Sequence, residues 1–293
     1  MVPAVFAKAF YTASLYMFAA STNHGFAQLL SFPSSASVPQ AKTREELDDF
    51  GFIYEANSSR ACVEAVKAFL LAHPQSEFAE FAHTAAMRSY SELSDWEGAY
   101  RMAELTLTSN ASNIDALLTM ARLLIDPEHE SAEGVTRAKT LTQTAIAGLR
   151  GKTIPVSANG KQWIRTKASY LAQSAFVLGW AAFREGNQTD ALQKLQEAIG
   201  LDPQGEYFYR FALVNARKGN LQAALSLAIQ ARNLGPLKIS RLASLEIEKL
   251  HSSERCEEYS RHPIHSHDPS LLHGNADRPL YQSEAIALTP FQI

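Results

Sequence analysis

Apolar residues recur at intervals of three and four along several stretches of the chain. Ala138, Leu141 and Ala145 follow this spacing in one stretch, and Leu242 and Leu245 follow it in another. Such spacing places apolar side chains on one face of a helix and leaves polar residues on the other. The pattern therefore predicts a series of amphipathic helices, and the prolines and glycines between the stretches predict where each helix ends.

A repeat of 33 residues is the strongest feature of the sequence. Five landmarks recur at that spacing: Gly186 with Gly219, Asn187 with Asn220, Ala191 with Ala224, Ala198 with Ala231, and Pro203 with Pro236. Five coincidences at one spacing do not arise from composition, and a period of this length is typical of stacked helical repeats.

Each landmark has a physical role in a helix-turn-helix unit. Gly186 and Gly219 can adopt the left-handed conformation that closes a helix C-terminus. Gly179 lies inside a first helix, where a small residue lets the second helix approach closely. Ala191 and Ala198 are seven residues apart, so they share one face of the second helix. The proline at the end of each unit stops that helix because it lacks a backbone donor.

The unit that ends at Pro203 resembles the tetratricopeptide repeat (TPR), a helix-turn-helix of about 34 residues. The residues that carry the resemblance are Leu178, Gly179, Gly186, Ala191, Ala198, Leu201, Asp202 and Pro203. Ala175, Ala182 and Leu195 depart from it, because the family favours aromatic side chains at these positions. The resemblance implies an all-α fold, a right-handed α-solenoid of about five TPR-like helix-turn-helix repeats with a C-terminal capping helix.

Weaker copies of the repeat and breaks in the helical pattern predict the remaining organisation. Ser94–Tyr100 resembles the family's turn into a second helix, and Asp126–Val135 is interpreted as an expanded loop in another copy. Leu245 and Ile247 of the capping helix are expected to cover the end of the stack. The layout is 1–27 signal peptide, 28–42 Ser/Pro-rich linker, 43–150 divergent TPR-like repeats, 151–168 loop and helix start, 169–237 two clear TPR repeats, 238–261 capping helix and 262–293 disordered tail.

The first 27 residues have the order of a secretory signal. The positive charge at Lys8 precedes the apolar stretch Ala9–Ala20, and the small residues Gly25 and Ala27 suit a signal peptidase, which leaves Gln28 as the N-terminus. We therefore expect a periplasmic or secreted protein with no integral membrane span after signal removal. The alternative is an ordinary amphipathic helix in a cytoplasmic protein, because polar residues dilute the apolar stretch.

Composition and motifs argue against catalysis and against nucleic-acid binding. A formal net charge of -3 and a pI of about 6.3 provide no basic field for phosphate backbones. The sequence contains no nucleophile-elbow, metalloprotease, phosphate-loop or calcium-loop motif, and its two cysteines form no CxxC pair. We expect no enzymatic activity, no cofactor and no metal site.

Other residues that could carry chemistry have plainer interpretations. Cys62, among alanines and valines, is expected to be a small buried apolar residue. His73 and His83 are interpreted as solvated helix-end histidines. The acidic residues of the expanded loop, including Glu128 and Glu130, are interpreted as solvated, with a weak cation site as the alternative.

Stacked helical hairpins form a concave groove that recruits peptides, and arginine and aromatic side chains favour protein contacts. The register of the repeats predicts groove positions for Arg88, Arg122, Phe176, Trp180, Arg184, Tyr209, Leu213 and Arg217. We expect a non-enzymatic scaffold or adaptor that binds a peptide or protein in the bacterial cell envelope. The alternative is a structural accessory subunit that stabilises an assembly without a ligand in the groove. The sequence leaves the oligomeric state open.

Overall fold

A computed structural model describes residues 39–150 and 160–261, with side chains through residue 252. Regular secondary structure in these residues is entirely helical. The helices are α1 (Arg44–Glu55), α2 (Ser59–Ala72), α3 (Ala79–Glu92), α4 (Trp96–Ser109), α5 (Ile114–Leu124), α6 (Ala132–Arg150), α7 (Gly160–Arg184), α8 (Gln188–Leu201), α9 (Gly205–Arg217), α10 (Leu221–Leu234) and α11 (Leu237–Arg261). The expected signal peptide 1–27, most of the linker 28–42 and the tail 262–293 lie outside the described residues.

The helices up to His251 belong to one compact unit, in which consecutive helices pair as five hairpins. The pairs are α1 with α2, α3 with α4, α5 with α6, α7 with α8 and α9 with α10. First helices also contact each other in order, α1 with α3, α3 with α5, α5 with α7 and α7 with α9. Each hairpin therefore buries its apolar side against its neighbours, and the expected all-α solenoid is confirmed. The second unit, from Ser252, is described only as the end of α11.

Small residues let the paired helices approach closely, as the repeat predicted. A Cβ atom on Gly179 would lie 3.0 Å from Cγ of Leu195 and 3.1 Å from its backbone nitrogen. Ala191 and Ala198 of α8 are fully buried, as are the equivalent alanines of α10. Interiors packed to this density leave little room for added methyl groups, so these positions fix the helix spacing.

The turns inside the last two hairpins share one backbone conformation. Gly186 has a φ of +83° and Gly219 a φ of +85°. The Gly186 amide donates to the carbonyl of Phe183 at 3.0 Å, and the Asn187 amide donates to the carbonyl of Ala182 at 2.9 Å. This pair of bonds is a Schellman motif, in which a left-handed residue satisfies the last carbonyls of a helix. The predicted role of both glycines is confirmed.

The structure corrects several details at helix ends and on the capping helix. Helix α6 begins at Ala132, so the expanded loop is Ile125–Ser131 and Val135 is helical. Leu245 is 62% exposed, whereas Ile247 is buried in a cluster with α9 and α10. Leu245 points away from the stack because the helical period that buries Ile247 turns Leu245 to the outside. Cys62 is half-buried rather than buried, and its partial burial raises the pKa of its thiol.

The two early histidines are not solvated, which corrects their sequence-based interpretation. Nε2 of His73 lies 2.9 Å from Oδ2 of Asp49, and the His73 amide caps α2 by donating to the carbonyl of Phe69. Nδ1 of His83 is buried without a hydrogen-bond partner among the described residues, and burial lowers the pKa of its imidazole. The His73 ring lies against α1 because a stack covers the helix ends that an isolated hairpin leaves exposed.

Candidate functional site

The eight residues predicted for the groove lie along the first helices of four successive hairpins. Helix α3 provides Arg88, α5 provides Arg122, α7 provides Phe176, Trp180 and Arg184, and α9 provides Tyr209, Leu213 and Arg217. Because α3, α5, α7 and α9 contact one another in that order, these side chains form one series across the stack. We call the surface formed by these four helices the first-helix row.

Arg122 connects the middle of the first-helix row to its end. Its Nη2 atom lies 2.6 Å from Oε2 of Glu206, and its guanidinium lies 6.0 Å above the ring of Phe176. The attraction of Glu206 raises the pKa of Arg122 against the opposing effect of burial. Phe176 is buried and stacks on Tyr207 with ring centroids 4.6 Å apart. The ion pair therefore covers an aromatic pair at the base of the row.

Trp180 is the centre of a second cluster, which a residue of the expanded loop completes. The indole is 4% exposed, and its Nε1 donates to Oε2 of Glu130 at 2.9 Å. The other carboxylate oxygen of Glu130 pairs with Nε of Arg184. The Glu130 side chain is only 6% exposed, so its charge is taken out of water and held by two donors. Glu130 therefore bridges the tryptophan and the arginine.

Arg210 lies on the opposite side of the same tryptophan. Its guanidinium carbon is 4.1 Å from the centroid of the Trp180 ring, a cation–π contact. The residue is 5% exposed, and its Nε is buried without a hydrogen-bond partner in the described part of the chain. Burial lowers the pKa of Arg210, and the more distant carboxylates of Glu206, Asp126 and Glu130 oppose this effect. The site thus retains a buried cation whose donors are not fully used.

The expanded loop Ile125–Ser131 lies against the first-helix row, which corrects its interpretation as a solvated loop. Glu130 contacts Trp180 and Arg184 as described, and Oε1 of Glu128 lies 2.9 Å from Nζ of Lys238 on α11. On its other side the loop is held by Trp96, whose ring lies 4.6 Å from that of His129. The loop contacts hairpins on both sides of its own. Glu130 is a buried pairing group, whereas Glu128 is an exposed charge that pairs with Lys238.

Arg88 occupies the other end of the row and has a full set of partners. Its Nη2 pairs with Oδ2 of Asp115, and both groups act electrostatically on the hydroxyl of Tyr170. Burial is the largest single effect and acts to lower the pKa of Arg88, but the attraction and hydrogen bond of Asp115, with Tyr170 and Tyr54, together outweigh burial, and the pKa rises. Burial raises the pKa of Tyr170 well above its ordinary value, so its hydroxyl stays protonated. This cluster is closed by its own carboxylate.

The remaining predicted residues are more accessible. Tyr209 and Leu213 are half-buried, and Arg217 is exposed with no ion pair among the described residues. Phe176 and Trp180 are covered by neighbouring side chains, with exposed fractions of 1% and 4%. That the eight residues contact a partner stays a prediction. Four further residues, on the row or next to it, were not predicted as site residues, namely Glu130, Glu206, Arg210 and Lys238.

One signal in the sequence bears on the missed residues. Arg210 interrupts the aromatic run 207–211, which places its guanidinium near aromatic side chains to which a cation is attracted. The acidic residues of the loop alternate with Pro127 and His129, but nothing local indicates which helix they reach.

The described residues hold no group of three or more His, Cys, Asp or Glu side chains arranged to bind a metal ion. None of the helices in the described ranges combines the length and the apolar character that crossing a bilayer requires.

The architecture agrees with the resemblance that the repeats indicated. Hairpins stack in order, left-handed glycines close the first helices of the last two, and small residues lie at the positions where paired helices touch. The chain is TPR-like. No family model matches the sequence, and no curated protein matches it.

Several solved structures are similar to this TPR-like chain at low sequence identity. MamA from Desulfovibrio magneticus RS-1, from residue 41 to its end, is 14% identical over 66% of this chain and 97% of its own, with a TM-score of 0.46. TTC0263, a TPR protein of Thermus thermophilus, is 13% identical over 70% and 98%, with a TM-score of 0.47. The TPR domain of P58(IPK) is 13% identical over 76% and 69%, with a TM-score of 0.30. The fold assignment therefore rests on the helices of this chain and not on these similar structures.

Proposed function

We propose that this TPR-like chain is a non-enzymatic scaffold that binds a peptide or protein partner along its first-helix row. One observation carries the proposal: four consecutive first helices contact one another in order, and the last of them carries exposed Arg217 with half-buried Tyr209 and Leu213. Arginine and tyrosine supply large contact area and charge-assisted hydrogen bonds, which dominate the energetics of protein interfaces.

The chemistry of the row suits holding a partner better than transforming one. Its charged groups are chiefly arginines paired with carboxylates, as in Arg88 with Asp115 and Arg122 with Glu206. Arginine stays protonated at physiological pH, so it donates hydrogen bonds but does not exchange protons. Acid–base catalysis needs a group that titrates near the working pH. Paired arginines instead hold the row in a fixed shape, and exposed Arg217 is left to pair with a negative charge of the partner.

The proposal also places the mature protein in the bacterial cell envelope, on the evidence of the sequence alone. Lys8, the apolar stretch Ala9–Ala20 and the small residues at Gly25 and Ala27 have the order of a cleavable signal. Expression in a bacterial host followed by fractionation and N-terminal sequencing tests this part. We expect periplasmic material that begins at Gln28, and cytoplasmic material that still begins at Met1 would contradict export.

Site-specific photo-cross-linking tests the binding surface. A photoreactive phenylalanine analogue replaces Arg217 on α9 in one variant and Arg232 on α10 in its control, and both sites are exposed arginines. We expect position 217 to form adducts with one partner and position 232 to form none. The partner, once identified and purified, should bind the Arg217→Glu variant at least about tenfold more weakly, whereas Arg232→Glu should leave the affinity unchanged.

The same experiment separates the alternative function. Adducts at position 232 but not at 217 would mean that second helices make the contacts, as an accessory subunit without a groove ligand requires. A captured partner whose affinity is indifferent to Arg217→Glu would count against the first-helix row as the binding surface.

A further inference from the structure

The expanded loop Ile125–Ser131 places acidic side chains where an incoming peptide would place its own. Glu130 accepts from the Trp180 indole and pairs with Arg184, and Glu128 pairs with Lys238. The loop, which consists of turns, thus pairs with residues on α7 and α11 although it belongs to a different hairpin. An irregular segment with two carboxylates in a basic, aromatic surface has the contacts of a bound ligand.

The loop leaves the site incomplete. Arg210 is 5% exposed and lies against the Trp180 ring, yet the described residues place no hydrogen-bond acceptor on its Nε. A buried donor without an acceptor is unfavourable, and a guanidinium has five N–H groups to satisfy. An additional carboxylate that reached this guanidinium would accept hydrogen bonds that no group of the loop accepts. The surface is therefore built for more negative charge than the loop supplies.

The loop is also held in a way that allows its release. Pro127, Glu128 and His129 are exposed, and the pair of Glu128 with Lys238 lies at the surface, with side chains 65% and 59% exposed. Exposed ion pairs contribute little to stability. Ile125 is 1% exposed and stays in the core, so the part of the loop that can be released is Asp126–Glu130, in which only Glu130 is deeply buried. Release of Asp126–Glu130 leaves both helices in place, since α5 ends before this segment and Ser131, whose hydroxyl accepts from the Gly134 amide at the start of α6, lies after it.

Building on the proposed function, we propose that the partner presents an acidic segment, which binds around Trp180 and Arg210, and that the loop Ile125–Ser131 occupies this site in the free protein. The partner's carboxylates take the places of Glu130 on Arg184 and of Glu128 on Lys238, and one of them reaches Arg210. The loop is thus a competitor that the chain carries within its own fold.

Fluorescence anisotropy with the full chain tests this inference. The probe is a labelled synthetic peptide with the sequence of residues 123–133, and its control carries glutamine in place of every glutamate and aspartate. The protein variant is Glu128→Gln with Glu130→Gln, which keeps side-chain volume and an acceptor for the Trp180 indole. We expect this double variant to bind the acidic peptide at least about tenfold more tightly than the wild type, and neither protein to bind the neutral peptide.

Matched variants establish where the peptide binds. Glu64→Gln with Glu97→Gln removes the same charge from exposed sites on α2 and α4 and should leave binding at the wild-type level. Arg210→Gln, added to the loop variant, should reduce binding at least about tenfold. Because Arg210 is buried, the exposed Arg184→Gln provides a second test, with a loss of several-fold.

Several outcomes would overturn the inference. They are equal binding of the acidic peptide to the wild type and the loop variant, equal binding of the acidic and neutral peptides, and binding that survives both arginine changes. Equal binding of a ribonucleotide oligomer would mean that the site takes any anion and would also refute an acidic protein segment. If a partner cross-links at position 217 but binds the loop variant no more tightly than the wild type, this inference fails while the proposed function stands.

Discussion

Arg88 and Arg210 are both covered arginines on first helices, but their surroundings differ. Arg88 on α3 pairs with Asp115 of the adjacent first helix, next to the hydroxyl of Tyr170. Arg210 on α9 lies on the face of Trp180, and the described residues place no carboxylate within ion-pairing distance of it. The first cluster is complete within the fold, whereas the second retains unused binding capacity. The difference separates a residue that fastens neighbouring repeats from one that is suited to an external ligand.

The largest expected effect on stability comes from replacing Arg88, and the same replacement of Arg210 is the comparison. Arg88→Met leaves the carboxylate of Asp115 largely buried without its partner, so we expect the free energy of unfolding to fall by about 2 kcal/mol. Arg210→Met removes a costly buried charge together with its cation–π contact, and these effects oppose each other. We expect that variant to stay within about 1 kcal/mol of the wild type. Urea denaturation of both variants measures the difference, and equal losses would refute the distinction between the clusters.

Substitutions in the turns that close α3 and α7 should change the free energy of unfolding by a smaller amount. Ser94 has a φ of 59° and closes α3 with the same pair of backbone bonds that Gly186 makes after α7. A side chain costs energy in this conformation, so Ser94→Gly should stabilise the protein by about 1 kcal/mol and Gly186→Ala should destabilise it by a similar amount.

Gly200 is the control for these changes. It lies in α8 outside the left-handed region and has nothing within 4 Å of the position that an alanine methyl group would take, so alanine there should stabilise by about 0.5 kcal/mol. Thermal denaturation at one protein concentration compares the three variants. Destabilisation by Gly200→Ala would mean that the glycine-to-alanine changes do not report backbone conformation.

Acid should weaken the α3 end of the row slightly through His83. Burial lowers the pKa of His83 in the folded protein, so below a pH of about 6.5 the unfolded chain binds a proton that the folded chain does not. Stability should therefore fall as the pH drops through that range, by less than about 1 kcal/mol because the ring is only half-buried. His83→Leu should lack this part of the pH dependence when both proteins are unfolded in urea between pH 5 and 8, and an identical dependence would contradict the assignment.

The smallest effect should come from the exposed end of the loop. Glu128→Gln removes an ion pair with Lys238 whose side chains are both mostly exposed. We expect a loss below about 0.5 kcal/mol that disappears at high salt. Denaturation at low and high ionic strength measures it, and a loss that high salt leaves intact would indicate a buried contact instead.

The sequence predicted the hairpins because their signals are local. Gly186, Gly219 and the alanines of α8 and α10 act within one repeat, and the 33-residue spacing repeats the same constraints. A left-handed turn or a close helix contact depends on one residue and its immediate neighbours, so it can be inferred without coordinates. The turns of the last two hairpins followed from these positions, whereas α7 extends back to Gly160, before the repeat that was predicted to begin at 169.

The candidate site could be predicted only in part, because its decisive contacts join distant segments. Arg122 and Glu206 are 84 positions apart, and Trp180 and Glu130 are 50 apart. An insertion such as Ile125–Ser131 has no periodicity that indicates a facing surface, so the sequence does not show what its acidic residues contact. The helical register placed Trp180 on the row correctly, but register does not show what covers a residue.

The attachment of the loop to both α5 and α6 sets a threshold for any ligand of this surface. A tethered segment confronts its site at an effective concentration of about a millimolar, whatever the abundance of the protein. A ligand that offers a single carboxylate therefore competes poorly with the loop, whereas one that engages several repeats at once gains enough avidity to displace it. Selectivity for long, multiply charged ligands thus follows from chain connectivity, without any further specificity-determining side chain.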